Sequence, residues 1–281
     1  MRIVLTGASG FVGGRLVPRL QARGHECVAM RHRDGWRAEV VENADAVIHL
    51  AGEPVAQRWT TAAKRRIRES RVEGTRSLVR TIGELARKPA VLVSGSAIGF
   101  YGERGDEVLT EASAPGEGFL ADVAREWESA ADGAAALGVR VVKIRTGIAL
   151  GREGGTLAKL LPMFRTGAGG RVASGRQWMS WIHVDDLADL FAFAAENGSV
   201  SGVLNGAAPD PVTNREFTRA LARAVHRPAV FPVPLFALRL LYGEMAEVVA
   251  GSQRVLPRAA EEAGFRFRYP ELPGALEQIL E

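Results

Sequence analysis

The chain has 281 residues and a single cysteine, and 36 Lys and Arg against 32 Asp and Glu leave a net charge of only +4. That length allows one large or two modest domains burying roughly three quarters of the surface. The small, dispersed charge excess gives no basic tail for nucleic acid, and the lone Cys27 excludes an internal disulfide and reads as a small buried hydrophobe in a reducing compartment.

The chain opens on an apolar run, Arg2-Ile3-Val4-Leu5, which leads into TGASGFVG (Thr6 to Gly13) and then into the helical spacing of Leu16, Val17 and Leu20. Strand, glycine turn and helix together seat a dinucleotide pyrophosphate on free N–H groups at a helix N-terminus, where any Cβ would hold the phosphates off. The spacing is G-x-x-G-x-x-G rather than G-x-G-x-x-G, so the strand-to-helix context carries the reading. Thr6, Gly7, Ser9, Gly10, Phe11, Val12 and Gly13 are the expected cofactor contacts. Gly7 and Gly10 cut the apolar run, so no secretory signal is read there and the chain is expected to be cytoplasmic.

Further β-branched runs follow at Cys27 to Met30, Ala46 to Leu50, Val91 to Ser94 and Val139 to Ile144. Helical patterns separate most of them, which predicts an α/β, Rossmann-type doubly wound parallel sheet covered on both faces. The second strand should end near Met30, where an NAD site places an acid on the ribose 2′-hydroxyl. Arg31, His32 and Arg33 stand there instead, and the guanidiniums of Arg31 and Arg33 suit a 2′-phosphate, which selects NADP(H). Leu50, Ala51 and Gly52, ending the third strand, complete the cofactor cleft. The next helix puts Ile67, Arg71, Gly74 and Leu78 on one face, and so sets an arginine, Arg71, on its apolar side, where it is a further expected cofactor contact. Ser94 and Ser96 close the fourth strand and Tyr101 follows, so hydroxyls sit where the nicotinamide would lie. Ser94 is expected to touch the cofactor, with Ser96 and Tyr101 transferring protons. Gly-x-Ser-x-Gly is not met around Ser96, which argues against a hydrolase. Phe119, Val123, Trp127 and Ala130 then share a helix face.

The second half has glycine-rich loops at Gly151 to Gly155 and Gly167 to Gly175, read as flexible, with Arg165, Arg171, Arg176, Gln177, Trp178 and Trp181 around them. That composition suits an anionic, partly aromatic ligand, and Arg176, Trp178 and His183 are the candidate substrate contacts. His183, Asp185 and Asp186 lack further histidines nearby, so hydrogen bonding within WIHVDD is expected there and no metal. Thr213 and Glu216 form a capping box for a helix through Ala224, and Pro257 to Gly264 frame another. Val233 to Val249 is apolar but interrupted by Arg239, Glu244 and Glu247, which predicts a buried helix rather than a membrane span. The expected division is a cofactor domain over 1–150 and 176–206, and a smaller, mostly helical substrate lobe over 151–175 and 207–281.

TGASGFVG, HLAG, SGSAIGFYG and WIHVDD resemble the extended short-chain dehydrogenase/reductase superfamily. HLAGEPVAQRW, ESRVEGT, GGRVASGRQWMSWIHVDDL and the tail from GEMAEVVAGSQRVLP to FRYP resemble its epimerase-like subfamily with a short C-terminal domain of its own, the nucleoside-diphosphate-sugar epimerase or cell-division-inhibitor homologues. The resemblance implies a Rossmann fold, NADP(H) and homodimerisation through two helices. It also implies a catalytic hydroxyl, which Ser96 matches, and a Tyr-x-x-x-Lys pair, which this chain lacks. Tyr101, Tyr242 and Tyr269 are followed four residues on by Gly105, Ala246 and Pro273, and Phe119 to Ala124 holds neither residue type. With a pKa of about 10, a tyrosine is ionised roughly one part in a thousand at neutral pH, a penalty of about 4 kcal/mol as a base and none as an acid. Arg71, standing where extended members often place asparagine before Val-x-Gly-Thr, is one candidate cation for Tyr101, the alternative being a structural pair with an acidic neighbour. Two readings follow. One is an epimerase-like oxidoreductase acting on a small carbonyl or hydroxyl compound, nucleotide sugars included; the other is an NADPH-binding regulatory or sensor protein without chemistry. Neither nucleic acid nor membrane is an expected partner.

Overall fold

The computed structural model describes residues 1–30 and 36–281, so the expectations for Arg31 and Arg33 lie outside the described residues. The sheet strands are β1 (Arg2–Thr6), β2 (Glu26–Met30), β3 (Ala46–His49), β4 (Val91–Ala97), β5 (Arg140–Thr146) and β6 (Gly202–Gly206). They lie in the order β2-β1-β3-β4-β5-β6, all parallel. Because side chains alternate along a strand, each strand feeds two cores. Ile3, Leu5, Ile48, Val93 and Ile144 pack with Leu16 and Leu20 of α1 (Phe11–Ala22). On the other face Val4, Val47, Leu92 and Val141 join a second cluster.

The chain winds from β1 through α1 to β2, returns through the single turn α2 (Ala38–Val41), and enters β3 on the opposite side of β1. Winding direction therefore reverses between β1 and β3, and in open α/β sheets the ligand crevice lies outside the carboxyl ends at that reversal. The long α3 (Thr61–Glu84) and α4 (Phe119–Asp132) cover the second core with Leu78, Ile82 and Ala131.

A third core unites α5 (Gly155–Arg165), α7 (Asn214–Ala224) and α11 (Leu272–Leu280) around Trp181, Phe217 and Leu276, while α6 (Val184–Glu196) packs on the first. The capping box of α7 is present: the Glu216 N–H donates to Thr213 Oγ1 and the Thr213 N–H to Glu216 Oε2 at 2.7 Å.

Two expectations need correction. Val233 to Val249 is no buried helix but two short ones, α8 (Leu235–Tyr242) and α9 (Met245–Ala250), broken at Gly243 with φ +63°. Pro232 and Pro234 precede α8, and Phe236, Leu240 and Leu241 stand exposed. Among the described residues no helix is long and apolar enough to cross a membrane. The first glycine-rich loop is also packed rather than loose. A Cβ on Gly151, Gly154 or Gly155 would come within 2.4–2.9 Å of the Phe11 ring. Beyond these, α10 (Arg258–Glu262) starts after Pro257 and ends before Gly264.

Candidate functional site

At the winding reversal the glycine turn is built so that no side chain can enter it. Gly7 takes φ +71°, and a Cβ there would lie 2.9 Å from the Leu50 carbonyl carbon. A Cβ on Gly13 would sit 2.2 Å from the Gly7 oxygen, and one on Gly10 at 3.1 Å from the same atom. Gly10 caps α1 without a side chain, and no acid occupies its first turn. The first-turn N–H groups and the positive end of the helix are left for an anion. Phe11, the first residue of α1, is clamped by Gly151, Gly154 and Gly155, which sequence reasoning placed in the substrate lobe.

Thr6 joins the two sides of the cleft. Its hydroxyl accepts from the N–H groups of Leu50 and Ala51, each at 3.2 Å, and lies 2.6 Å from Nδ1 of His49. With its acceptor capacity used, Thr6 gives its proton to that nitrogen, and Nε2 of His49 faces Thr75 of α3 at 3.1 Å. All three side chains are fully buried. Thr75 was not anticipated as a partner of His49; its place two turns along α3 from Ile67 and its position at the end of ESRVEGT were the signs of it.

Beyond Gly52 lies Arg71, the arginine expected on the apolar face of α3. Its Nη1 donates to the carbonyls of Glu53 at 2.9 Å and Ile67 at 3.3 Å, and a Cβ on Gly52 would meet the guanidinium at 3.2 Å. Burial pushes its pKa down to about 10 against the pull of Glu53, so it remains a cation at neutral pH. The guanidinium lies 5.2 Å over the ring of Trp127, whose edge closes on Gly95. Trp127 Nε1 is buried with no hydrogen-bond partner among the described residues. Such an orphan donor costs about 1–3 kcal/mol.

Ser96 and Tyr101 are drawn into one buried network. Ser96 donates to Glu128 Oε1 at 2.6 Å, and Glu128 forms a bidentate pair with Arg145, both contacts at 2.8 Å. Arg145 Nη1 donates to the Tyr101 hydroxyl at 3.0 Å, which donates to Asn205 Oδ1 at 2.7 Å. The cation at Tyr101 is therefore Arg145 of β5, which corrects the choice of Arg71. Burial nevertheless raises the Tyr101 pKa, outweighing Arg145, so the side chain is a neutral phenol at physiological pH. Ser94, also buried, donates to the Gly95 carbonyl.

On the substrate side Arg176 is exposed, and its guanidinium has no hydrogen bond to another described residue. Trp178 donates from Nε1 to Asp106 at 2.8 Å, with the Arg254 guanidinium 4.3 Å over its ring. His183 needs correction as a substrate contact. It is buried, its Nδ1 accepts from the Asp185 N–H as the cap of α6, and its Nε2 lies 2.8 Å from Gln278. Both nitrogens are spent inside the fold. Among the described residues no cluster of His, Cys, Asp and Glu could hold a metal ion.

A parallel sheet that reverses at a glycine cradle, with free helix-end amides facing the crevice, defines a protein of the dinucleotide-cleft, Rossmann class. The family described as "NAD dependent epimerase/dehydratase family" matches residues 3–205, and "Domain of unknown function (DUF1731)" matches residues 233–279. The chain belongs to the NAD dependent epimerase/dehydratase family. It is 40% identical over 304 residues to the epimerase family protein SDR39U1 homolog, chloroplastic, of Arabidopsis thaliana, covering 100% of this chain and 87% of that protein. It is 37% identical over 298 residues to the epimerase family protein YfhF of Bacillus subtilis, covering 100% and 98%. The crystal structure of human epimerase family protein SDR39U1 (isoform 2) with NADPH superimposes with a TM-score of 0.92 at 32% identity, covering 100% of this chain and 99% of that one.

Proposed function

We propose that this protein binds NADPH at the β1–β3 reversal and acts as an epimerase-like oxidoreductase on a small carbonyl or hydroxyl compound, nucleotide sugars among them. The observation that carries the reading is the cradle of Gly7, Gly10 and Gly13, closed to any Cβ and open at the amides of α1. Arg31 and Arg33 are assigned to the 2′-phosphate on their position after β2, and the NADPH in the human relative supports that choice.

When bound, NADPH supplies hydride. The chain's own residues then divide as follows. First-turn amides of α1 would hold the pyrophosphate, and Arg71, next to Gly52, would supply a charged donor to the cofactor. Tyr101, held as a phenol between Arg145 and Asn205, is suited to give a proton rather than remove one. Ser96 is oriented by Glu128, and Arg176 and Trp178 are assigned to an anionic substrate. The cytoplasm and a homodimer are proposed as its setting.

A second reading, a cofactor-binding sensor, draws support from one observation: the hydroxyls of Ser96 and Tyr101 already spend their protons on Glu128 and Asn205. Calorimetric titration with NADPH and NADH, repeated with Arg31→Glu/Arg33→Glu, tests the cofactor site. Loss of reduced-nicotinamide absorbance on adding carbonyl compounds or sugar nucleotides, slowed in Tyr101→Phe, supports the enzyme. Tight NADPH binding with no oxidation across that panel supports the sensor, and no binding of either cofactor removes both readings.

A further inference from the structure

The C-terminal segment carries a surface that neither the cleft nor the cores absorb. Val230, Phe231, Phe236, Leu240 and Leu241 are 71%, 65%, 73%, 74% and 62% exposed, on a proline-rich stretch and the single helix α8. Isolated exposed apolar residues are ordinary; five large ones within twelve residues form a patch that calls for an occupant.

On one side of that patch the charge is basic, while at its α9 end Glu244 and Glu247 are paired with Lys64 and Arg239. Residues 154–184 and 217–243 contain no Asp or Glu. These two stretches meet in space: Val233 N–H donates to the Arg171 carbonyl at 2.8 Å, and Arg227 Nε donates to the Arg165 carbonyl at 3.2 Å. From the other side Arg58 Nη1 donates to the Leu240 carbonyl at 3.2 Å. The guanidiniums of Arg58 and Arg227 thus hold only backbone oxygens, as does that of Arg171 through the Ala173 carbonyl, and none of them, nor Arg165, forms an ion pair with a described carboxylate. The basic run on α3 is different, since Lys64, Arg66 and Arg68 are paired with Glu244, Glu53 and Glu126.

We propose that this face docks on a lipid bilayer bearing anionic headgroups, with Phe231, Phe236, Leu240 and Leu241 entering the interface and the arginines resting on the phosphates. An apolar cluster flanked by uncompensated cations is the pattern of interfacial attachment, where buried apolar area and attraction to anionic lipid add. A second copy fits less well, because a two-fold contact would set the unpaired arginines of this surface against each other. Attachment here is peripheral, so it revises the expectation of no membrane partner without requiring a spanning helix.

Co-sedimentation of the full chain with vesicles of phosphatidylcholine, with and without phosphatidylglycerol, tests the proposal. Binding should be at least tenfold stronger with phosphatidylglycerol, weaken with added salt, and disappear in Phe236→Asp/Leu240→Asp. Arg165→Glu/Arg227→Glu should weaken it more than tenfold, at about fivefold for each basic residue near an anionic surface. Unchanged melting curves and NADPH titrations in these variants exclude misfolding. Equal binding to neutral vesicles, or none to either kind, overturns the proposal. Without vesicle binding, a dimer that Phe236→Asp/Leu240→Asp dissociates assigns the face to a second copy. Capture on immobilised polyglutamate but not on vesicles assigns it to an acidic polypeptide.

Discussion

Gly13 and Gly14 are neighbours on α1 whose replacement by alanine should act in opposite directions. At Gly13 the added Cβ would stand 2.2 Å from the Gly7 oxygen and 2.7 Å from the Ala8 Cα, against 3.4 Å for ordinary contact. Both obstacles are backbone of the turn, so the turn itself must move away from α1. Overpacking of this kind costs about 1–3 kcal/mol, offset in part by about 1 kcal/mol of helix propensity. A shift of that size also misaligns the amides for the pyrophosphate. Losing two hydrogen bonds to a charged group, at about 1.5–3 kcal/mol each, lowers NADPH affinity by about a hundredfold or more. At Gly14 a Cβ meets nothing within 4 Å and the residue is exposed. Gly14→Ala should therefore gain about 0.8–1 kcal/mol and leave affinity unchanged. Calorimetric titration and thermal melting of the two variants side by side decide the matter. If Gly13→Ala binds NADPH as tightly as Gly14→Ala does, the glycine cradle does not seat the pyrophosphate.

Other substitutions test the remainder of the site. Glu128→Gln leaves Arg145 a buried, uncompensated cation, since both partners are over nine-tenths buried; urea denaturation should show a loss of about 3–5 kcal/mol. Arg71→Met should weaken NADPH binding about tenfold or more through loss of a charged donor, with the melting curve of the free protein little changed; a parallel collapse of stability would make Arg71 structural. His183 has its pKa lowered by burial from 6.5. Its contribution to stability is therefore complete above that unfolded value and is lost as the pH falls from there through the folded value, where protonation of Nδ1 removes the cap of α6. The acid-side decline in melting temperature should flatten in His183→Asn, which caps without titrating; an unchanged slope would point to other groups.

The glycine cradle at the sheet's reversal was legible because its signals are local. A strand, a glycine turn and a helix are written within twenty residues, and hydrophobic period shows where each begins. Arg71 was visible for the same reason, as a polar residue on an otherwise apolar helical face. The mistakes came where long-range contacts decide. Tyr101 meets Arg145 and Asn205, 44 and 104 residues on, and no spacing rule joins them. His183 has the composition of a ligand-binding residue, but Gln278 and the Asp185 N–H take its nitrogens. Gly151, Gly154 and Gly155 were read as flexibility, whereas the Phe11 ring is what excludes their side chains.

By itself the sequence determined the class of fold, the place of the dinucleotide cradle and the absence of Tyr-x-x-x-Lys, since each depends on residues adjacent in the chain. Only tertiary structure decided that β3 crosses to the far side of β1, that Ser96 and Tyr101 are bound to a buried Glu128–Arg145 pair, and that the apolar stretch at α8 faces outward. Burial and pairing of charge depend on which distant segments come together, and hydrophobicity along the chain does not distinguish a face that packs from one left for a partner.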